Sequence, residues 1–237
     1  MENKNVLVII PARGGSKGIT GKNLVKIYGK TLIEYAAQCV KEARYPYLDA
    51  VLSSDDEKIL EHGKVIGLDI SKRPKELAGD HSNVVDTVIF TLNEVETKWK
   101  KKYDIIILLQ PTAPIRSGED LDNIIKMFTT PATEAVISVV PLNEMHPARM
   151  YKINNDKLEP FLKEFETLRR QDIPPAYYRN GCFYAIRKNI LLKEKTLMPE
   201  NKTPYIMEAK WLCNIDEPMD LEIAKVKIKL WQEKKKH

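Results

Sequence analysis

The chain has 237 residues, 43% of them hydrophobic, and a formal net charge of +5, a length that suits one α/β domain with a core of its own. Its three cysteines, Cys39, Cys182 and Cys213, are odd in number and without C-x-x-C spacing; that argues against a disulfide framework or a zinc site and makes a reducing compartment, the cytoplasm, the expected location. No apolar run approaches the roughly 20 residues needed to cross a bilayer, and the residues before Val6 lead into only a short apolar stretch ended by a proline, so neither export nor a membrane partner is expected.

The first element is the run Val6 to Ile10, continuously apolar up to Pro11, the pattern of a strand buried on both faces of a parallel sheet. It runs into a loop in which Gly14, Gly15, Gly18 and Gly21 allow unusual backbone angles and close approach, while Arg13, Lys17 and Lys22 bring positive charge. Backbone N–H groups and cations together make an anion site. The Walker pattern G-x-x-x-x-G-K-[ST] accounts for Gly21 and Lys22 but meets Ser16 where it needs glycine and Asn23 where it needs Ser or Thr. The dinucleotide pattern G-x-G-x-x-G, set on Gly18 and Gly21, fails at Ser16 as well. The loop matches neither.

Helix and strand signals then alternate. Residues 32–43 read as a helix, 48–56 as a strand with a polar end and 57–67 as a helix closed by glycine. Residues 83–102 read as a long helix and 103–114 as a second fully apolar strand running into a loop marked by prolines. Residues 117–128 read as a helix opened by Ser117 and Asp120 at capping-box spacing. Such alternation predicts a doubly wound α/β fold, a mostly parallel sheet with helices on both faces. After about residue 134 the rhythm changes to short strand-like runs, "AVISVVPL", "ARMYKIN", "GCFYAIRK" and "AKWLCNID". Residues 141–180 are therefore read as a small antiparallel excursion of a single domain spanning 1–237, directed toward a second subunit.

The lysine-rich end invites a nucleic-acid reading. Yet Leu221, Ala224, Ile228 and Trp231 fall at helical spacing and leave Lys225, Lys227 and Lys229 on the polar flank of an ordinary amphipathic helix. No nucleic-acid partner is expected.

In a sheet of this kind ligands bind beyond the carboxyl ends of the strands. The polar residues there converge: Arg13 to Asn23 after the first strand, Ser53, Ser54 and Asp55 after the second, Gln110, Thr112 and Arg116 after the long apolar one, and Asn214 and Asp216 near the end.

Six blocks in order, "IIPARGGSKGITGKNL", "RPKELAGD", "LLQPTAPIR", "HPARM", "RRQDIPPAYYRNGCFY" and "NIDEPMDLEIA", give nearly the whole chain a resemblance to the acylneuraminate cytidylyltransferases. The resemblance implies a Rossmann-like nucleotidyltransferase that transfers CMP from CTP to the anomeric hydroxyl of a nine-carbon 3-deoxy-2-keto sugar acid of the sialic or legionaminic type, releasing pyrophosphate. It also implies Mg²⁺ as cofactor and a homodimer. A synthetase for the eight-carbon acid of the same chemistry, and a non-catalytic nucleotide-binding regulator on the same scaffold, are the alternatives.

Carried over residue by residue, the resemblance gives Arg13, Ser16, Lys22 and Asn23 the triphosphate and ribose, with the amides of Gly14 and Gly15 in the same role and Lys22 meeting the α-phosphate. Arg73 and Ser82 fall to the cytosine side, and Gln110, Arg149 and Arg170 to the sugar acid, Arg170 as the partner of its carboxylate. Each has a plainer reading: Arg13 and Lys22 as surface cations, Asn23 as a turn cap, Arg73 and Arg149 as loop charges, Gln110 as a glutamine satisfying its own loop. The pattern is departed from twice. Tyr178 stands where some sialic acid enzymes carry a second arginine, with Arg179 beside it. And Asn214-Ile215-Asp216 replaces Asp-x-Asp, leaving Asp216 as the metal carboxylate and Asn214 as a neutral oxygen, unless Asp216 merely shapes the turn before Pro218.

Overall fold

The computed structural model describes residues 4–79, 82–142 and 145–235; Asp80 of the "RPKELAGD" block, two residues of the expected excursion and the last two of the basic terminus lie outside them. The elements run β1 (Val6–Pro11), β2 (Lys26–Ile27), β3 (Lys30–Thr31), α1 (Leu32–Glu42), β4 (Leu48–Ser54), α2 (Glu57–Val65), β5 (Asp69–Lys72), α3 (Val84–Trp99), β6 (Ile105–Leu108) and α4 (Gly118–Met127). They continue with β7 (Ala135–Leu142), β8 (Tyr151–Asn154), β9 (Lys157–Pro160), β10 (Ala176–Arg187), α5 (Lys188–Glu194), β11 (Thr203–Ile206) and α6 (Pro218–Lys234).

The main sheet has seven strands in the order β11-β7-β10-β6-β1-β4-β5. β1 pairs in parallel with β4 and β6, β4 with β5, and β11 with β7; β10 is antiparallel to both β6 and β7. The sheet is therefore mostly parallel with one reversed strand, and the reversal matters. It brings the amino-terminal residues of β10 to the same edge as the carboxyl ends of β1, β4 and β6.

β1 explains the continuous apolar reading. Val6, Val8 and Ile10 pack with Ile33, Ala36 and Cys39 of α1 and Leu121 and Ile124 of α4, while Leu7 and Ile9 pack on the other face with Val88, Leu92 and Val95 of α3 and Leu191 of α5. All five are fully buried, and a strand covered on both faces has no polar side to show. Helix starts follow local chemistry. Thr31 and Glu34 form a capping box on α1, Asp56 caps α2, Asn83 caps α3, and Ser117 with Asp120 makes the expected box on α4. Among the described residues no helix is long and apolar enough to cross a membrane.

One strand expectation fails. "AKWLCNID" is a short 3₁₀ turn, Ala209–Trp211, followed by irregular chain, and the edge strand is β11 just before it. The misleading signal has a physical source. Cys213 and Ile215 are buried against Ala224 and Ile228 of α6 while Asn214 and Asp216 face outward; an extended segment wedged beside a helix produces period-two burial without a neighbouring strand. β5, the β2–β3 hairpin and α5 carry too few residues to have stood out.

The antiparallel hairpin β8–β9 lies within the 141–180 span. Its side chains Ile153, Leu158 and, just beyond it, Phe161 are 77%, 66% and 53% exposed, an apolar surface that a small domain rarely leaves open.

Candidate active site

The loop after β1 is shaped by contacts that only glycine permits. A Cβ on Gly18 would run into the backbone carbonyl of Asp216, and one on Gly14 would lie 2.6 Å from a carboxylate oxygen of Asp56. Gly21 takes φ +64° to open the single turn Lys22–Leu24. The loop is thereby pressed against the segment that carries Asp216. Lys22 Nζ and Asp216 Oδ1, 194 positions apart, meet at 2.8 Å; the lysine side chain is 13% exposed and the carboxylate 72%.

Asn23 is buried and its Nδ2 donates to the carbonyl of Arg13 at 3.0 Å, so part of its capacity holds the loop itself. The Gly14 amide, expected to face a phosphate, donates to Asp55 Oδ1 at 3.2 Å. That carboxylate, at the end of β4, also sits 3.8 Å from the Arg73 guanidinium. Arg73 is buried, donates to Thr87 Oγ1 at 3.3 Å, and its Nε has no acceptor among the described residues. Burial pulls its pKa down and nearby Asp55 opposes that. A buried arginine with an unused donor is poised for a further acceptor. Ser82 Oγ donates to the carbonyl of Glu76 at 2.6 Å and so closes the loop after Arg73.

These residues line one cavity of about 330 Å³: Arg13, Ser16, Lys22, Asn23, Arg73 and Ser82, with Gln110 and Thr112 on its far wall. A second, of about 430 Å³, is lined by Gln110, Thr112, Tyr178, Arg179, Asn214 and Asp216, joined by Tyr177, Gly181 and Tyr184. Gln110 and Thr112 belong to both, so the two chambers meet at the loop after β6, beside the Lys22–Asp216 pair. Gly181, at φ +77°, forms a close wall of the second chamber: a Cβ there would sit 3.2 Å from Gln110 Oε1 and 3.4 Å from Asn214 Oδ1. Arg179 lies over the Tyr184 ring, 5.9 Å from its centroid, and burial raises the Tyr184 hydroxyl's pKa.

Arg149 and Arg170 are elsewhere. They line a third cavity of about 650 Å³, between the end of β7 and the segment before β10, that shares no lining residue with the other two. Both Arg149 terminal nitrogens donate to backbone carbonyls, of Glu166 and Leu168, at 2.7 Å each, so within this chain its guanidinium is a staple for the segment before Arg170.

The turn into α6 does not consume Asp216. Asp220 accepts from the backbone N–H groups of Asp216 and Glu217, leaving the Asp216 carboxylate facing the cavity with Lys22. One exposed carboxylate and the nearby Asn214 carbonyl oxygen are hard oxygen donors that suit Mg²⁺ if phosphate oxygens and water complete the shell; among the described residues no group of three His, Cys, Asp or Glu is arranged to hold a metal ion alone. Tyr177, Gly181 and Tyr184 had no distinct signal in the sequence. Gly181 and Tyr184 come to the site at the register slip of β10, while Tyr177 lies on the regular stretch before it.

The cytidylyltransferase family matches residues 7–235. The chain belongs to this family. It is a nucleotidyltransferase whose sequence is 28% identical over 225 residues to a pseudaminic acid cytidylyltransferase of Campylobacter jejuni, covering 94% of this chain and 96% of that one. It is also 28% identical over 222 residues to an N-acylneuraminate cytidylyltransferase of Escherichia coli, covering 92% of this chain but 51% of that longer one. In fold the cytidylyltransferase chain is similar to CMP:2-keto-3-deoxy-manno-octonic acid synthetase complexed with CTP, at a TM-score of 0.70 and 20% identity over 97% of this chain and 99% of that one. It is also similar to 4-diphosphocytidyl-2C-methyl-D-erythritol synthase of Anaerococcus prevotii, at 0.62 and 15% over 96% and 97%.

Proposed function

We propose that this cytidylyltransferase transfers CMP from CTP to the anomeric hydroxyl of a nine-carbon 3-deoxy-2-keto sugar acid, with release of pyrophosphate. The observation that carries the reading is the meeting of two chambers at Gln110 and Thr112, with Lys22 and Asp216 at the seam. A nucleotide in the first and an acceptor in the second would present a hydroxyl to an α-phosphate. Two relatives are named for pseudaminic acid and N-acylneuraminate, whereas the eight-carbon alternative rests on likeness of fold.

Phosphoryl transfer asks little covalent work of a protein, so positioning and charge neutralisation carry the reaction. Arg13, Ser16 and the loop amides hold the triphosphate, Arg73 with its unused Nε–H and Ser82 hold the base, and Lys22 offsets charge building on the α-phosphate. Asp216, with Asn214 beside it, would hold Mg²⁺, which supplies neutralising charge for the departing pyrophosphate. Gln110 orients the acceptor against Tyr178, Arg179 and Tyr184. Splitting Lys22 from Asp216 frees one for phosphate and the other for metal, so each holds the other in place until both ligands arrive.

The protein acts as a homodimer in the cytoplasm, where CTP is made. The exposed apolar hairpin supports the first part, and so does Arg170, stranded away from the chambers of its own chain. A partner's Arg170 reaching the acceptor carboxylate gives both features a purpose. Pyrophosphate release from CTP, compared with the other nucleoside triphosphates and across a panel of N-acetylneuraminic, legionaminic, pseudaminic and eight-carbon keto acids, tests the assignment. Turnover confined to the eight-carbon acid, or absent with every acceptor, refutes it.

A further inference from the structure

Arg116 is 2% exposed, yet among the described residues it forms no ion pair. Asp120, a carboxylate whose charge acts on it, spends its oxygens on Ser117 and the Tyr205 hydroxyl. The two buried thiols beside it, Cys39 and Cys182, are both pushed up to about 12 by burial and stay neutral. A buried guanidinium without a direct ion pair is costly, and arginine does not shed its proton to escape. What it does gain is two hydrogen bonds, Nη1 to the carbonyl of Cys182 at 2.6 Å and Nη2 to the carbonyl of Gln110 at 2.7 Å, with the Phe183 ring 5.8 Å away.

The location of those two carbonyls is informative. β6 and β10 are antiparallel and their pairing ends at Leu108 opposite Tyr184. Continued forward along β6 and back along β10, that register would set Leu109 opposite Phe183 and then Gln110 opposite Cys182. The guanidinium occupies that step of the ladder. On its other side β10 slips register against β7 between Arg179 and Tyr184, and Asn180 fastens the bulge through Ser138 Oγ and the Cys182 N–H. The strands are thus held open where Gln110 and Gly181 line the second chamber.

We propose that Arg116 is a positioning residue, a wedge whose planar fork replaces a ladder pair between β6 and β10 and sets the width of the acceptor chamber between Gln110 and Gly181. The proposal rests on the reading of that chamber as the acceptor's. A lysine in its place keeps the charge but reaches one carbonyl, and a glutamine keeps donors without the charge; with either, Gln110 and Cys182 draw together and the chamber narrows.

The test is a kinetic comparison of Arg116→Lys and Arg116→Gln with the parent enzyme, below the melting temperature of each. The expected result is a KM for the nine-carbon acid raised at least tenfold with the KM for CTP within twofold, less so in Arg116→Lys, and a shift in kcat/KM ratio toward the eight-carbon acid as the smaller acceptor. Unchanged acceptor KM, equal rises for both substrates, or loss of folding in both variants overturns the wedge. Crystal structures separate failure of the wedge from failure of the assigned reaction. If the parent transfers CMP to no sugar acid, approach of residues 110 and 182 in Arg116→Gln still supports the wedge, and an unchanged separation refutes it.

Discussion

The two chambers share a wall and are built in opposite ways. The first takes four of its charged or polar linings, Arg13, Ser16, Lys22 and Asn23, from one loop of eleven or so residues, and that loop is fixed by glycine contacts and by Asn23 bonding back to Arg13. The second is collected from three distant segments, around Gln110, along Tyr177 to Tyr184, and at Asn214 and Asp216, and its shape depends on a bulge and a wedged arginine. A site made from one loop is rigid by local chemistry. One made from strand ends is only as defined as the sheet that spaces them.

The largest effect is expected where the chambers touch. Lys22→Ala and Asp216→Ala should each lower kcat by about 10²–10³-fold or more, the range for removing one group that meets transition-state charge, with melting temperatures near that of the parent because the carboxylate of the pair is exposed. Pyrophosphate release and thermal melts check both halves of the statement. Parent-like turnover in either folded variant removes the pair from the chemistry.

Gly18→Ala comes next and probes the loop of the rigid chamber where it meets the Asp216 segment. The added Cβ collides with the Asp216 carbonyl, so the loop must move away from the segment that carries the carboxylate. A displacement of about 1 Å costs on the order of 10²-fold when reacting groups must be aligned. The loss should appear in KM for CTP and in kcat while the acceptor KM stays; a variant with unaltered CTP kinetics means that the contact is slack.

The same contrast explains what could be read in the sequence. β1 and the loop after it were legible because a fully buried strand must be apolar throughout, and because glycines and cations within one stretch leave a local trace. Asp216 was collected as the polar end of an expected strand that is not formed, and its assignment to a metal came from the block resemblance. Gly181 and Tyr184 were not found, since nothing in "RNGCFYAIR" tells that β10 runs backwards and slips register after Arg179. The false strand at 209–216 arose similarly: alternating burial reports which side chains are covered, not by what.

The hairpin offers a mid-sized test of whether the second chamber is completed by another copy. Ile153→Asp with Leu158→Asp places two charges on the exposed apolar face and should convert dimers to monomers in light scattering. Turnover then falls at least tenfold although neither residue lines a chamber. Mixing Lys22→Ala with Arg170→Ala should restore part of the lost activity, because a mixed dimer holds one intact site. Fully active monomers, or no recovery on mixing, mean that each chain works alone and Arg170 serves some other purpose.

The smallest effect concerns acceptor choice, and it turns on Tyr178 and Arg179 lying side by side in the second chamber. Tyr178 is 45% exposed; a phenol there offers one hydroxyl and a broad apolar face, which favours an acceptor with fewer hydroxyls, of the legionaminic type, over the polyhydroxylated tail of N-acetylneuraminate. Arg179 works against this, because its guanidinium can serve polar groups, but it rests over the Tyr184 ring, where stacking restrains it. Discrimination through apolar contact amounts to about 1–3 kcal/mol per group, or roughly 10–200-fold in kcat/KM. In competition between N-acetylneuraminate and a 9-deoxy diacetamido acid, the deoxy acid should win by about tenfold, the lower end of that range. Tyr178→Arg should shrink the margin by adding a donor array for the hydroxyl-rich tail, and Arg179→Ala should widen it. A preference for N-acetylneuraminate that persists in Arg179→Ala would show that the tyrosine does not set the choice, and that the second chamber takes its selectivity from residues beyond this strand.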